Sequence, residues 1–117
     1  MRVLLIDDDP GFRELARRVL GASGMDVVGE AGDAESGLAA AVSLRPDAVL
    51  LDVGLPDRDG VGLAGELAAL PWRPRIVLTS ADPDAISSEA ARRRGACGFI
   101  SKHDLPDAGV GLLLNGA

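Results

Sequence analysis

Three acids stand in a row at Asp7, Asp8 and Asp9, and a fourth, Asp52, ends the apolar run Ala48–Leu51. Lys102 is the only lysine among twelve basic residues, the other eleven being arginine. A carboxylate such as Asp52 is a competent nucleophile toward phosphorus, forming an acyl phosphate. Its obstacle is charge, because an anion must approach an anionic phosphoryl group. Asp7 and Asp8 beside it would worsen the repulsion unless a hard divalent cation lay between the acids. Mg²⁺ suits such a set, since it takes one or two carboxylates plus phosphate oxygens and keeps several waters. A compact ammonium on a flexible stem can move from carboxylate to phosphoryl oxygen in a tight pocket, which arginine's planar fork cannot do freely. Lys102 is therefore expected to pair with Asp52 at rest and with the phosphoryl group after transfer. A hydroxyl from Thr79 or Ser80 is the remaining polar candidate.

These residues converge only if the chain brings strand ends together, and its pattern does so. Arg2–Ile6 is a short continuous apolar run, as expected of a strand buried on both faces. Phe12, Leu15, Ala16, Val19 and Leu20 recur with helical spacing, after an Asp9 N-cap and Pro10 at the first helical position. Residues 25–30 read as a second, weaker strand, and Asp33 opens a helix that Arg45-Pro46 closes. Residues 48–52, 75–80 and 98–101 supply three further strands. Helices are expected over 60–70, weakened by Gly62 and Gly65, and over 84–94, closed by Gly95. The tail from Leu105 has helical spacing in Val110, Leu113 and Leu114, but Gly109 and Gly111 make it marginal. Five βα units without a long linker predict a doubly wound α/β domain, a five-stranded parallel sheet with helices on both faces. Ligands in such sheets gather at the carboxyl ends of the strands. Asp7, Asp8, Asp52, Thr79, Ser80 and Lys102 all fall there.

Composition excludes several alternatives. The 117 residues suit one domain, and 47% hydrophobic with 26% charged residues is a globular balance rather than a disordered one. A net charge of -6 argues against direct nucleic-acid binding, which needs a basic face. No apolar run approaches the ~20 residues of a membrane span, and residues 1–6 are too short for a signal peptide. A single cysteine, Cys97, permits no internal disulfide and fits a reducing, cytoplasmic setting. Its simplest role is as a small core residue.

The segments LLIDDDP, LLDVGLPDRDG, IVLTSA and GACGFISK together resemble the receiver domain of two-component response regulators, along the whole length, residues 1–117. The resemblance implies the flavodoxin-like strand order 2-1-3-4-5. It implies that Asp52 accepts a phosphoryl group from a histidine kinase or phosphotransfer protein, with Mg²⁺ as cofactor. Asp8 and Asp52 would hold the metal directly, Asp7 mainly through water, and Gly54 through its backbone carbonyl. Thr79, with Ser80 as the alternative, would contact the phosphoryl group, and Phe99 matches the aromatic that turns inward on activation. Spacing from Pro74 selects Thr79, and spacing back from Lys102 selects Ser80. The implied output is a switched surface acting on a downstream protein or a fused effector domain. Receivers also dimerise weakly through their fourth and fifth helices; the glycines of the tail weigh against that here. The family is a signalling module that catalyses only its own phosphorylation and dephosphorylation.

Two other classes compete with this reading. An aspartyl-phosphate phosphatase of the dehalogenase-like class needs a second acid two residues after its nucleophile, where this chain has Gly54. A receiver-like binding module that has lost phosphorylation would lack one of Asp52, the acid pair or Lys102, and none is missing. Asp9 and Asp59 are simplest as helix caps, Arg92–Arg94 as a solvated helix end, and His103 as a loop residue with no second metal ligand in view.

Overall fold

The computed structural model describes residues 1–105 and Leu114. In chain order the elements are β1 (Arg2–Ile6), α1 (Pro10–Ala22), β2 (Asp26–Ala31), α2 (Ala34–Leu44), β3 (Ala48–Asp52), α3 (Gly60–Ala68), β4 (Arg75–Ser80), α4 (Ser88–Arg93) and β5 (Gly98–Ser101). A 3₁₀ turn, Lys102–Asp104, follows. The strands form one parallel sheet in the order β2-β1-β3-β4-β5, as expected.

Strand alternation divides the core into two layers. Val3, Leu5, Ala48, Leu50, Val77 and Ile100 pack on one face against Phe12, Ala16 and Leu20 of α1, together with Leu105 and Leu114. Leu4, Ile6, Val49, Leu51, Ile76 and Leu78 pack on the other against Ala34, Ala41, Leu63, Leu67 and Ala91 of α2 to α4. The central strand β3 is buried along its whole length, which explains its unbroken apolar run. Edge strand β2 is only half-buried and slips register opposite Val3 and Leu4, as befits its weaker pattern.

Local side-chain chemistry sets the helix starts. Asp9, Asp33 and Asp59 cap α1, α2 and α3. The fourth helix departs from expectation, beginning at Ser88 rather than Asp84. Ser80 Oγ accepts from Asp82 N, and Asp82 Oδ1 accepts from Asp84 N, so this stretch is consumed in turns. Ser87 then supplies the cap, its Oγ accepting from Ala90 N at 3.0 Å. Leu114 is helical and buried in the α1-side core; the rest of the expected fifth helix lies outside the described residues. Among the described residues no helix is long and apolar enough to cross a membrane.

Candidate functional site

The carboxyl ends of β1, β3 and β4 bring Asp7, Asp52 and Thr79 together. Asp52 lies directly opposite Thr79 in the β3–β4 register, and Val53 N donates to Thr79 O at 2.9 Å. Asp7 follows Val3 and Leu5 on the α1 side of the sheet, Asp52 follows Leu50, and Thr79 follows Val77. Asp7, Asp52 and Thr79 are 2%, 5% and 0% exposed, whereas Asp8, one residue out of phase with Asp7, faces solvent. Thr79 Oγ1 is buried with no hydrogen-bond partner among the described residues. Buried hydroxyls are normally satisfied, so this one is conspicuous. Ser80 belongs to the opposite parity, registers with Ser101, and its hydroxyl is occupied by Asp82 N.

Lys102, just past β5, reaches into this group. Its Nζ lies 2.7 Å from Asp7 Oδ2 and 3.6 Å from Asp52 Oδ2, so the expected pairing with Asp52 is shared and Asp7 is the nearer partner. One ammonium is thus divided between two buried carboxylates, the closer contact being with Asp7. Its other oxygen accepts from Asp9 N at 2.9 Å. Asp52 is left less well neutralised. Burial first and the Asp7 charge second push its carboxyl up from the ordinary value, with Lys102 and the Gly54 N–H opposing and the Asp8 charge adding to the rise.

The loop after Asp52 is fixed from several sides. Gly54 N donates to Asp52 Oδ1 at 3.3 Å, and Gly54 bridges to Asp59. Gly60 passes so close to the strand that a Cβ there would collide with the Asp52 carbonyl oxygen, which only glycine avoids. Asp57 crosses to a different helix: its two carboxylate oxygens accept from Ala34 N and Glu35 N at 2.8 and 2.9 Å. These bonds hold the Asp57 carboxyl below its ordinary value. Asp33 takes Ser36 N, so two acids from distant segments cap α2.

Nothing in the sequence marks Asp57 as a bridge, since an acid beside proline looks like ordinary loop chemistry. Two α1 residues likewise belong to the site without a sequence signal for it. Arg13 donates from Nη1 to the Asp7 carbonyl and from Nε to Glu30. Phe12, which periodicity assigns to the core alone, also places its ring centroid 4.5 Å from Lys102 Nζ. The i, i+3, i+4 pattern marks a residue as inward-facing without saying what lies at the top of the stripe. Phe99 is half-buried on the other face of the sheet, against the α2–α4 core. Cys97 is half-buried beside the α1-side core, and His103 is exposed.

One carboxylate oxygen each from Asp7, Asp8 and Asp52 lies within 4.8 Å of the others. Three hard oxygen donors, two of them buried and one open to solvent, fit a small dication better than a soft transition metal.

Comparison with known proteins agrees with this geometry. The family model for the response regulator receiver domain matches residues 3–108. The transcriptional regulatory protein YxjL of Bacillus subtilis is 38% identical over 92% of this chain and 50% of its own length. PdtaR, a transcriptional regulatory protein of Mycobacterium tuberculosis, is 36% identical over 86% of this chain and 49% of its own. The chain thus spans about half the length of these curated relatives. Among solved structures, the signal receiver domain of NarL from Mycobacterium tuberculosis superimposes with a TM-score of 0.78 at 34% identity, covering 96% of this chain and 94% of that one. A LuxR-family two-component response regulator from Aurantimonas gives a TM-score of 0.83 at 28% identity, over 98% of this chain and 85% of that one. The chain belongs to the receiver domain family of two-component response regulators.

Proposed function

We propose that this receiver is a working phosphoacceptor, with Asp52 taking the phosphoryl group from a phosphohistidine of a histidine kinase or phosphotransfer protein. The observation that carries the reading is the placement of Asp52: a buried, under-neutralised carboxylate that shares a lysine with Asp7 and lies in register with a threonine whose hydroxyl has no partner among the described residues. An Asp52 carboxylate oxygen attacks phosphorus, forming the P–O bond of an acyl phosphate. The P–N bond breaks, its electron pair stays on the imidazole nitrogen, and that nitrogen takes a proton. Water later attacks phosphorus to release inorganic phosphate and restore the carboxylate. Asp8 and Asp52, with Asp7 through water and the Gly54 carbonyl, would hold Mg²⁺, which when bound offsets charge between the acids and the phosphoryl oxygens.

Lys102 supplies the mobile positive charge, leaving its shared position between Asp7 and Asp52 for a phosphoryl oxygen. Thr79 is favoured over Ser80 as the hydroxyl contact because it shares the face and register of Asp52 and has no competing partner among the described residues. Engagement of Thr79 at the end of β4 and a turn of Phe99 on β5 would relay the event to an outer surface. That surface acts on a downstream protein or on an effector domain fused to the receiver, in keeping with relatives of twice its length.

The test is intact-mass measurement after incubation with Mg²⁺ and acetyl phosphate. One added phosphoryl group is expected, lost with a chelator and lost in Asp52→Asn. Uptake by Asp52→Asn at the wild-type rate would overturn the assignment. No uptake by the wild-type chain would leave a protein-binding module on a receiver fold.

A further inference from the structure

The ammonium of Lys102 has three close neighbours of note: Asp7 Oδ2 at 2.7 Å, Asp52 Oδ2 at 3.6 Å, and the Phe12 ring with its centroid at 4.5 Å. The two carboxylates hold the charge from the sheet side. Phe12, at the start of α1 and 8% exposed, occupies a further side with the electron-rich face of an aromatic ring. The helix stripe itself asks for no aromatic. Ala16 and Leu20 continue it, and a leucine at position 12 would serve the same apolar layer. What an aromatic adds is an attractive surface for a cation that also keeps water off it.

We propose that Phe12 is a positioning residue for phosphoryl transfer: its ring face steadies the Lys102 ammonium over the Asp7–Asp52 pair. The inference rests on the reading of Lys102 as the phosphoryl partner. Phe12 has no polar atom and takes no part in the bond changes. Its effect is preorganisation, because an ammonium already confined beside Asp52 need not be gathered from a hydrated ensemble when the phosphoryl group arrives. Without the ring face, Lys102 keeps its carboxylate partners but explores more orientations.

The sole lysine makes a direct test available. Protein labelled with ¹³C,¹⁵N-lysine gives one set of lysine side-chain resonances, all from Lys102. In the metal-free wild type, the ε-methylene protons should be shifted upfield by the ring current, and in Phe12→Leu they should return to ordinary values. Equal ε-proton shifts in the two proteins would overturn the contact. A second series keeps the ring and its size but drains its face, with mono- and trifluorinated phenylalanine placed at position 12 alone. The rate of phosphoryl uptake from acetyl phosphate should fall progressively, by about two- to fivefold at the trifluoro stage. Mg²⁺ affinity should stay unchanged. A rate indifferent to fluorination would reduce Phe12 to a filler of the core. Loss of Mg²⁺ affinity in parallel would also overturn the proposal, since it would mean distortion of the acid cluster. Failure of the parent reading is separable: it would show as uptake in Asp52→Asn, while the lysine shifts of the metal-free protein would still judge Phe12.

Discussion

The two ends of the sheet treat polar groups in opposite ways. At the amino ends of the strands, Asp47 is matched on every side. Its carboxylate accepts from Arg2 N at 2.8 Å, its N–H donates to Arg2 O, and its carbonyl accepts from Arg75 N. Nearby, Trp72 Nε1 donates to Pro46 O at 2.9 Å, and the Arg45 guanidinium lies 4.6 Å from the Trp72 ring centroid. Arg2 Nη1 donates to Arg45 O. At the carboxyl ends, two buried acids share one lysine, a third acid crowds them, and a buried threonine hydroxyl lacks a partner among the described residues. One end is arranged for stability. The other concentrates charge beside a hydroxyl that has no partner among the described residues, a pattern that favours function over stability and that the proposed phosphoryl-acceptor role would use.

The sharpest way to break this contrast is at the loop that supports the reactive end. Gly60→Ala must move a Cβ out of contact with the Asp52 carbonyl, and it should cost about 3 kcal/mol or more in urea unfolding. A loss below about 1 kcal/mol would show that the loop relaxes freely and does not hold Asp52 in place.

A second comparison lies within that loop. Asp52 has a raised carboxyl, so its charge opposes folding above the folded-state value, and that opposition fades as pH falls toward the ordinary 3.8. Asp57 has a lowered carboxyl, so its contribution is fully present above 3.8 and is lost as pH falls below it through the folded-state value. Asp52→Asn should therefore raise Tm by a few degrees at neutral pH, with the gain shrinking in acid. Asp57→Asn should lower Tm at neutral pH, with the loss shrinking only at more acid pH. Thermal melts of both variants across the acid range would decide it, and shifts of the same sign would contradict the electrostatic assignment.

The smallest effect belongs to the opposite end. Trp72→Phe keeps a ring beneath Arg45 and removes the bond to Pro46 O, a change worth about 1 kcal/mol. Phosphoryl uptake should be unaltered. A slowed uptake would mean the two ends are coupled.

The difference between the ends also explains what could be read in advance. The positions of the acids and Lys102 were legible because each sits where an apolar run stops, and parallel βα winding sends those boundaries to one edge; the strand order followed from the resemblance to receiver domains and not from the runs themselves. Counting left Thr79 and Ser80 open, because spacing from Pro74 selects one and spacing back from Lys102 the other; strand parity adds only that Thr79 is the one in register with Asp52. That Lys102 lies nearer Asp7 than Asp52 depends on how three side chains meet in space, which a run of three acids does not reveal. Asp57 and Phe12 act across 22 to 23 residues in one case and from a helix to the far end of the chain in the other. No local pattern encodes either contact. The late start of α4 was hidden by the serines and aspartates of residues 80–88, which cap helices and form turns equally well.

The central claim is that one carboxylate, and no other, is the phosphoryl acceptor. After incubation with acetyl phosphate and Mg²⁺, reduction with borohydride converts an aspartyl phosphate to homoserine, which peptide mapping by tandem mass spectrometry locates in the sequence. Homoserine at position 52 alone is the predicted result. Homoserine at position 7 or 8, or at any other acid in place of 52, would contradict the account.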